Sequence, residues 1–582
     1  MSVRPTQVFA NNKKPADTQK LRGGYYTPPG LATYLVRWAL PDGTRRVLEP
    51  SAGDGNFVMS CLSESERRLT ADGDTPLRIV AVEIDDAESD RAIRRIEEAS
   101  GLDRVDWIRG DFFSAYEQLK ATPGFDAVVG NPPFIRFQSF REDSRDRAFL
   151  HLREVGYSPS KLANAWAAFV ALCIELIREG GRMAMVVPAE LLQVKYASEL
   201  RAKLTRAFDH IIVIGFRKLV FPEIQQEVVL LLAEGRRRLA GPTSDIQTLE
   251  FDDGSDLVRG NLDDAIRHVP SKHARNGMKW TSLFLSEPAF AALDDAQRAT
   301  GLTKLGALGM VDVGIVTGRN SFFVLSKAQR ESMGILRYTV RTVGRTSALK
   351  SLVFGQDAFA RYESQHPAYI LNLSGVAEDA LPSSVKDYIC RGEAAGVHTG
   401  FKCRTRPRWY DVPSVYVPGG FLFRQVHRYP MLVANEAGAT STDTIHRVRF
   451  RDGVNPRLLA ASFFNSLTFA WAEVSGRSYG GGVLELEPSE AEDLPIPYHA
   501  NLDLDPNVVD SLVSSGREDA ALDYVDGVVL RDYLGLDRAT IRRLRTAWSE
   551  LRNRRNDRKR PAFEAHGQLE MFRPAQVNGA RS

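Results

Sequence analysis

Apolar and polar positions follow two different patterns along the chain. From about residue 21 to 240, short apolar runs of strand length recur between stretches with helical spacing. The runs Arg46–Glu49, Ile79–Glu83, Val105–Ile108, Ala127–Val129, Met183–Val187, Ile211–Ile214 and Val228–Leu232 are predicted as strands. The clearest helix is predicted over Leu162–Ile177, with Leu162, Trp166, Phe169, Val170, Cys173 and Ile177 on one face. Gly180-Gly181 is expected to stop it. Strands alternating with helices in this way predict an α/β domain, a seven-stranded, doubly wound, mostly parallel sheet.

Outside that region the pattern changes. Residues 1–20 are polar and are expected to form a mobile tail. The stretch 241–300, after Arg236-Arg237-Arg238, reads as a connector. Residues 301–505 carry short β-type runs (Val311–Ile315, Phe322–Leu325, Ser414–Val417, His446–Phe450) broken by Gly and Pro, which predicts an irregular α+β domain. Residues 506–582 read as helical and basic. Ile541, Leu544, Trp548 and Leu551 fall at helical spacing within Asp537–Arg555. Arg552, Arg554, Arg555, Arg558, Lys559 and Arg560 are expected on a solvated face.

Composition narrows the classes. The chain has 582 residues, 76 Lys+Arg against 73 Asp+Glu, and a net charge of +3, so charge for a polyanion must be local. Four cysteines (Cys61, Cys173, Cys390, Cys403) form no close pair and read as reduced thiols. Cys390, His398 and Cys403 lack a usual zinc-ligand spacing, and no metal is expected. No run approaches the roughly 20 apolar residues of a membrane helix, and no apolar leader opens the chain. A cytoplasmic location, away from membranes, follows by elimination.

The chemistry is concentrated at four predicted strand ends. The first runs Glu49-Pro50-Ser51-Ala52-Gly53-Asp54-Gly55-Asn56-Phe57, where Gly53 and Gly55 let backbone approach a ligand. In open α/β sheets ligands sit at the carboxyl ends of strands. Glu83 ends the second strand and can accept hydrogen bonds from both hydroxyls of a ribose. Asp111 and Phe112 follow the third and suit an adenine amino group and ring. The fourth leads into Asn131-Pro132-Pro133-Phe134. There a side-chain amide oxygen and a backbone carbonyl can both accept hydrogens from a conjugated amino nitrogen, freeing its lone pair. The prolines stiffen the loop, and Phe134 can stack on a flipped base. Alone, each motif also reads as an ordinary turn or a surface acid; four in order do not.

With Gly24-Tyr25-Tyr26-Thr27-Pro28-Pro29 in front of these motifs, the chain resembles a gamma-class DNA adenine-N6 methyltransferase of the TaqI, restriction-modification type. The resemblance implies a Rossmann-like catalytic domain over 21–240 that uses S-adenosylmethionine, followed by a target-recognition domain over 301–505. Tyr26, Thr27, Glu49, Ser51 and Gly53 would line the methionine end, Glu83 the ribose, and Asp111 and Phe112 the adenine ring. Asn131, Pro132 and Phe134 would hold the target base, and Phe221 would stack on its other face, although Phe221 reads equally as core. Two positions depart from the family pattern. Phe134 stands where many relatives have Tyr, and Asn164-Ala165-Trp166 stands where an acidic residue, Leu and Tyr are usual.

In the second half, the Gly314–Asn320 and Ser478–Leu484 segments (with Tyr479 and Gly481) resemble parts of a recognition domain, and Arg404, Arg406, Arg408 and Trp409 interleave charge with aromatic rings. Each also reads as a hairpin turn or a solvated face. The implied partners are double-stranded DNA and a separate cognate endonuclease. The motifs start near residue 24, which leaves no room for a fused nuclease upstream. The alternatives are a methyltransferase of protein glutamine or RNA, and a DNA-binding relative without catalysis.

Overall fold

The computed structural model describes residues 26–557 apart from 73–75, 137–141, 159–163, 222–226, 240, 243, 276 and 480–481. The polar tail, Tyr25, Gly481 and the cluster at 558–560 therefore lie outside the described residues, as does the Tyr479 side chain. The chain divides into two compact units, Met1–Phe284 with Pro561–Ser582, and Leu285–Arg560.

The first unit is built on one sheet with nine strands, two more than the pattern predicts. They are β1 (Arg46–Glu49), β2 (Arg78–Glu83), β3 (Val105–Arg109), β4 (Phe125–Gly130), β5 (Ile177–Pro188), β6 (Phe208–Phe216), β7 (Val228–Arg236), β8 (Asp245–Phe251) and β9 (Lys272–His273). Their order is β3-β2-β1-β4-β5-β7-β6-β8-β9. β7 runs antiparallel between β5 and β6, β9 is antiparallel to β8, and the other pairings are parallel. The added strands β8 and β9 come from the stretch read as a connector. The central strands are buried on both faces, which explains why Met183–Val187 and Val228–Ala233 are unbroken apolar runs. The strand order reverses between β1 and β4, which opens a crevice at their carboxyl ends.

One helix ends earlier than its sequence predicts. It spans Ala165–Leu176, and β5 begins at once with Ile177. Gly180-Gly181 does not end the helix but lies inside the strand. Gly180 has φ +76, and β5 shifts register against β4 at this point. The backbone bends there as only glycine does cheaply. Every helix residue except Glu175 is buried, so its apolar positions mark no single face.

The second unit holds a five-stranded sheet (Gly309–Asp312, Ile445–Phe450, Gly420–Phe423, Leu432–Asn435, Val353–Phe354) and a four-stranded one (Val324–Leu325, Tyr369–Leu371, Thr339–Val343, Thr440–Ser441). Two smaller sheets and several helices surround them. Two predicted strands are corrected. Asn320–Phe323 is a short helix, leaving only Val324–Leu325 extended, and Ser414–Val417 is irregular, with Ser414 at φ 60. The C-terminal helix Arg538–Asp557 packs Leu544, Ala547, Trp548 and Leu551 into the core of this unit. Arg555, read from sequence as solvated, is 2% exposed and paired with Glu473. Among the described residues no helix is long and apolar enough to cross a membrane.

Candidate active site

The four carboxyl strand ends of β1, β2, β3 and β4 meet at the crevice, and backbone hydrogen bonds tie them together. After β1 the chain turns through Gly53 (φ +53) and Gly55 (φ +84). A Cβ on Gly53 would lie 3.3 Å from the Tyr26 ring, and one on Gly55 would lie 3.0 Å from Ala92 Cβ, so both the conformation and the space require glycine. Ala52 N–H donates to Val82 C=O at 2.9 Å, and Gly110 N–H donates to Glu83 C=O at 2.8 Å. Glu83 accepts from Gly53 N–H (2.7 Å) and Asp85 N–H (2.8 Å), one on each carboxylate oxygen. Each oxygen keeps a further lone pair for a ligand. Burial raises the Glu83 carboxyl above its usual range, against those two amide donors.

Glu49 is the most constrained acid in the crevice. It is 1% exposed and, among the described residues, accepts only a 3.3 Å bond from Ser51 N–H and leaves Oε2 buried with no hydrogen-bond partner. Burial pushes its carboxyl well above the usual carboxylate range; Ser51 N–H opposes this and neighbouring Glu83 adds to it. Gly130, which ends β4 at φ +154, lies against this carboxylate, and a Cβ there would collide with it. Thr27 is 2% exposed, and among the described residues its Oγ1 also has no partner. Its carbonyl accepts from Asn56 Nδ2 at 3.2 Å. Arg95 in turn holds Asn56 Oδ1 (2.9 Å) and the Asp54 carbonyl (2.5 Å). A buried carboxylate oxygen and a buried hydroxyl without partners are costly unless a ligand supplies donors. An aminoacyl group with its ammonium fits both. Asn56 lies in the first strand-end motif without a role assigned to it from sequence, and Arg95 was missed because nothing in its local spacing marks it.

The Asn131 loop begins directly at Gly130. Ser51 Oγ donates to Asn131 C=O at 3.3 Å, joining the loop after β4 to the loop after β1. Pro132 is buried, while Asn131 and Phe134 are half-buried. Phe134 packs against the same apolar cluster that contains Phe221, which is 7% exposed. The strand-like end of the loop docks on the departure noted in the sequence. Ile135 C=O accepts from Ala165 N–H at 2.8 Å, and Arg136 bridges to Asn164. Asn164 is 9% exposed. Asp111 is half-buried and accepts from Ser114 Oγ at 3.1 Å. Phe112 is 2% exposed and stacks on Phe169 with centroids 4.8 Å apart, so its ring faces belong largely to the core.

In the second unit the basic–aromatic segment is mostly an internal brace. Arg406 donates to the Val316 and Thr317 carbonyls (3.0 and 2.8 Å). Arg408 grips Asp411 (2.7 and 3.1 Å) and the Val376 carbonyl (2.7 Å). Trp409 donates from Nε1 to Glu393 at 3.0 Å and packs its ring near Phe322 and Phe323. Of the four residues of this segment expected at DNA, Arg404 is the exposed one; the side chain of Tyr479 and Gly481, the other two residues expected there, lie outside the described residues.

Known proteins match the chain on both sides of this description. The model "Eco57I restriction-modification methylase" matches residues 65–221, and "Type II methyltransferase M.Eco57I, C-terminal domain" matches residues 277–530. Type II methyltransferase M.AccI of Acinetobacter calcoaceticus is 20% identical over 527 residues, covering 84% of this chain and 89% of the relative. Type II methyltransferase M.XamI of Xanthomonas campestris pv. amaranthicola is 24% identical over 497 residues, covering 82% and 86%. M.TthHB8I of Thermus thermophilus is 30% identical over 208 residues, covering 34% and 42%. In fold, the type IIL restriction-modification enzyme MmeI, solved in complex with DNA, aligns with a TM-score of 0.51 at 12% identity, over 90% of this chain and 75% of that one. Models of one enzyme type thus match stretches of both units, and over most of its length the chain is similar to type II restriction-modification methyltransferases.

Proposed function

We propose that this protein methylates the exocyclic amino group of an adenine flipped out of double-stranded DNA, using S-adenosylmethionine, as the modification partner of a separate endonuclease. The observation that carries the reading is the Ser51–Asn131 contact. It sets the amide loop after β4 beside the buried, donor-seeking Glu49 at the point where the strand order reverses. S-adenosylmethionine supplies an electrophilic methyl group on a sulfonium. Glu49 and Thr27 hold its methionine end, the second lone pairs of Glu83 take its ribose, and Asp111 takes its adenine amino group.

The chain's own residues then act on the base. Phe134 and Phe221 bound a slot for a planar ring. The Asn131 side-chain oxygen and the Pro132 carbonyl accept the two amino hydrogens, drawing the nitrogen toward tetrahedral geometry. No strong base is needed beforehand, because the proton leaves after the new N–C bond forms. Most of the acceleration then comes from alignment. The order of motifs from Tyr26 through Asn131 supports adenine as the base, and the match of the chain to M.AccI and M.XamI across both units supports DNA as the polymer.

Tritiated S-adenosylmethionine with purified DNA, RNA and protein tests this directly. DNA should take the label, and digestion should place it in N6-methyladenine. Label in protein or RNA alone would overturn the reading, and so would cofactor binding with no transfer to any DNA.

Glu49→Gln should separate the cofactor's demand for charge from the demands of folding. In the cofactor-free fold the raised carboxyl holds its proton at pH values where the unfolded chain has released it. Wild-type stability should therefore fall as pH rises from the ordinary carboxylate range toward the raised value. The neutral amide removes that slope. At pH 8 the variant's cofactor-free melting temperature should rise by about 2–4 °C, while affinity for S-adenosylmethionine drops at least ~10-fold. Calorimetric titration showing wild-type affinity would remove Glu49 from the site.

A further inference from the structure

One surface of the second unit joins two features that the sequence offers separately, the Gly314–Asn320 segment and Arg404, to a ring that it does not single out, Phe401. Phe401 opens the short helix Phe401–Arg404 and is 64% exposed. A lone exposed ring means little, but this one is flanked by charge. Lys402 Nζ lies 5.8 Å and the Arg404 guanidinium 5.5 Å from its centroid. The helix is seated on the loop 316–320. A Cβ on Gly318 (φ +85) would come within 2.9 Å of Lys402 Cβ, so the two backbones pack without intervening side chains. Behind them Cys403 is buried, and Arg406 holds the Val316 and Thr317 carbonyls. Facing outward are Val316 (39% exposed), Arg319, Phe401, Lys402 and Arg404.

The charges on this surface are uncompensated. Among the described residues Arg319, Lys402 and Arg404 form no ion pair; Arg319 donates to the Ala395 carbonyl at 3.4 Å, and the acid Glu393 bonds Trp409. Three cations without an acidic partner thus share one surface with an exposed aromatic ring, a local excess of positive charge in a chain of net +3. Arg408, by contrast, is paired with Asp411, and Arg406 is turned inward onto the Val316 and Thr317 carbonyls.

We infer that the loop 316–320 and the helix Phe401–Arg404 form a duplex-contacting surface, with Arg319, Lys402 and Arg404 on phosphates and Phe401 pressed against the base stack. Phosphates are what three unpaired cations recognise, and an apolar ring between them bears on bases. The inference rests on the DNA reading above, but its test does not require methylation.

Fluorescence anisotropy with a labelled random-sequence 40-mer duplex, titrated at several salt concentrations, reads both contributions. Lys402→Ser with Arg404→Ser should weaken binding and lower the slope of log affinity against log salt by about 2. Phe401→Ala should weaken binding roughly ten-fold with the slope unchanged. Arg319→Ser should lower the slope by about 1. Melting temperatures and S-adenosylmethionine affinity should stay at wild-type values, since none of these side chains is buried. If wild type binds the duplex and the variants match it in affinity and slope, the inference fails while the methylation reading stands. Failure of wild type to bind any duplex also overturns it. Variants that bind DNA normally but lose a co-purifying protein would assign the surface to that protein instead. Labelling of RNA or protein alone, in the separate transfer assay, would overturn the methylation reading itself.

Discussion

Asn131→Ala should lower methyl transfer by about 10³-fold while S-adenosylmethionine binds within about two-fold of wild type. The substitution removes one acceptor aimed at a developing charge in a desolvated crevice, and such groups act chiefly in the transition state. The loop itself should hold. Asn131 is tied to the first loop through its backbone carbonyl, which accepts from Ser51 Oγ and survives the change. Pro132 and Pro133 keep their restricted backbone, and Ile135 C=O still receives Ala165 N–H. Glu49, Thr27 and Glu83, proposed to hold the cofactor, are untouched. Single-turnover transfer from the tritiated cofactor, beside calorimetric titration, measures both quantities. A variant within ten-fold of the wild-type rate would sink the proposed role of the amide. Loss of cofactor binding along with activity would instead mean that the loop supports the neighbouring site.

What the chain discloses in advance depends on the kind of interaction. The first-unit strands are legible because a strand buried on both faces must be apolar throughout, as in Val228–Ala233. Strands β8 and β9 were not, because a strand next to the sheet's edge such as Asp245–Phe251 mixes buried and exposed positions, and the two-residue edge strand Lys272–His273 is too short to show a pattern. The end of the helix at Leu176 was hidden too, since Ile177-Arg178-Glu179 carries no helix-breaking residue and Gly180-Gly181 offers the first one. In the site, Gly53, Glu83 and Asn131 stand out because strand ends and short motifs are local. The Arg95–Asn56–Thr27 chain joins residues far apart in sequence, and no spacing announces it. Basic–aromatic interleaving misled for a related reason. Composition cannot distinguish an arginine that caps carbonyls, such as Arg406, from one that faces solvent, such as Arg404. The structure makes that distinction by supplying the acceptors.

Arg555→Leu should lower the melting temperature of the second unit by roughly 10 °C, from a loss of about 3–5 kcal/mol. Both members of the Arg555–Glu473 pair are 2% exposed, and the contact is bidentate, at 2.9 and 2.7 Å. The guanidinium also donates to the carbonyls of Gly482, Val426 and His427, so one side chain fastens the C-terminal helix to the glycine-rich hairpin Arg477–Tyr479/Val483–Glu485 and to Gln425–Val426. Burial alone pushes the Glu473 carboxyl upward, and Arg555 opposes this. Removing the arginine leaves an uncompensated buried acid and three carbonyls without a donor, which is worse than having no pair at all. The double variant Arg555→Leu with Glu473→Leu should therefore recover part of the lost stability, and Arg555→Lys should fall between, keeping the charge but not the fork of donors. Thermal melts of the four proteins decide it. A single variant melting within 2 °C of wild type would show that the pair is solvated after all, and a double variant less stable than the single would show that the side chain acts through packing rather than charge.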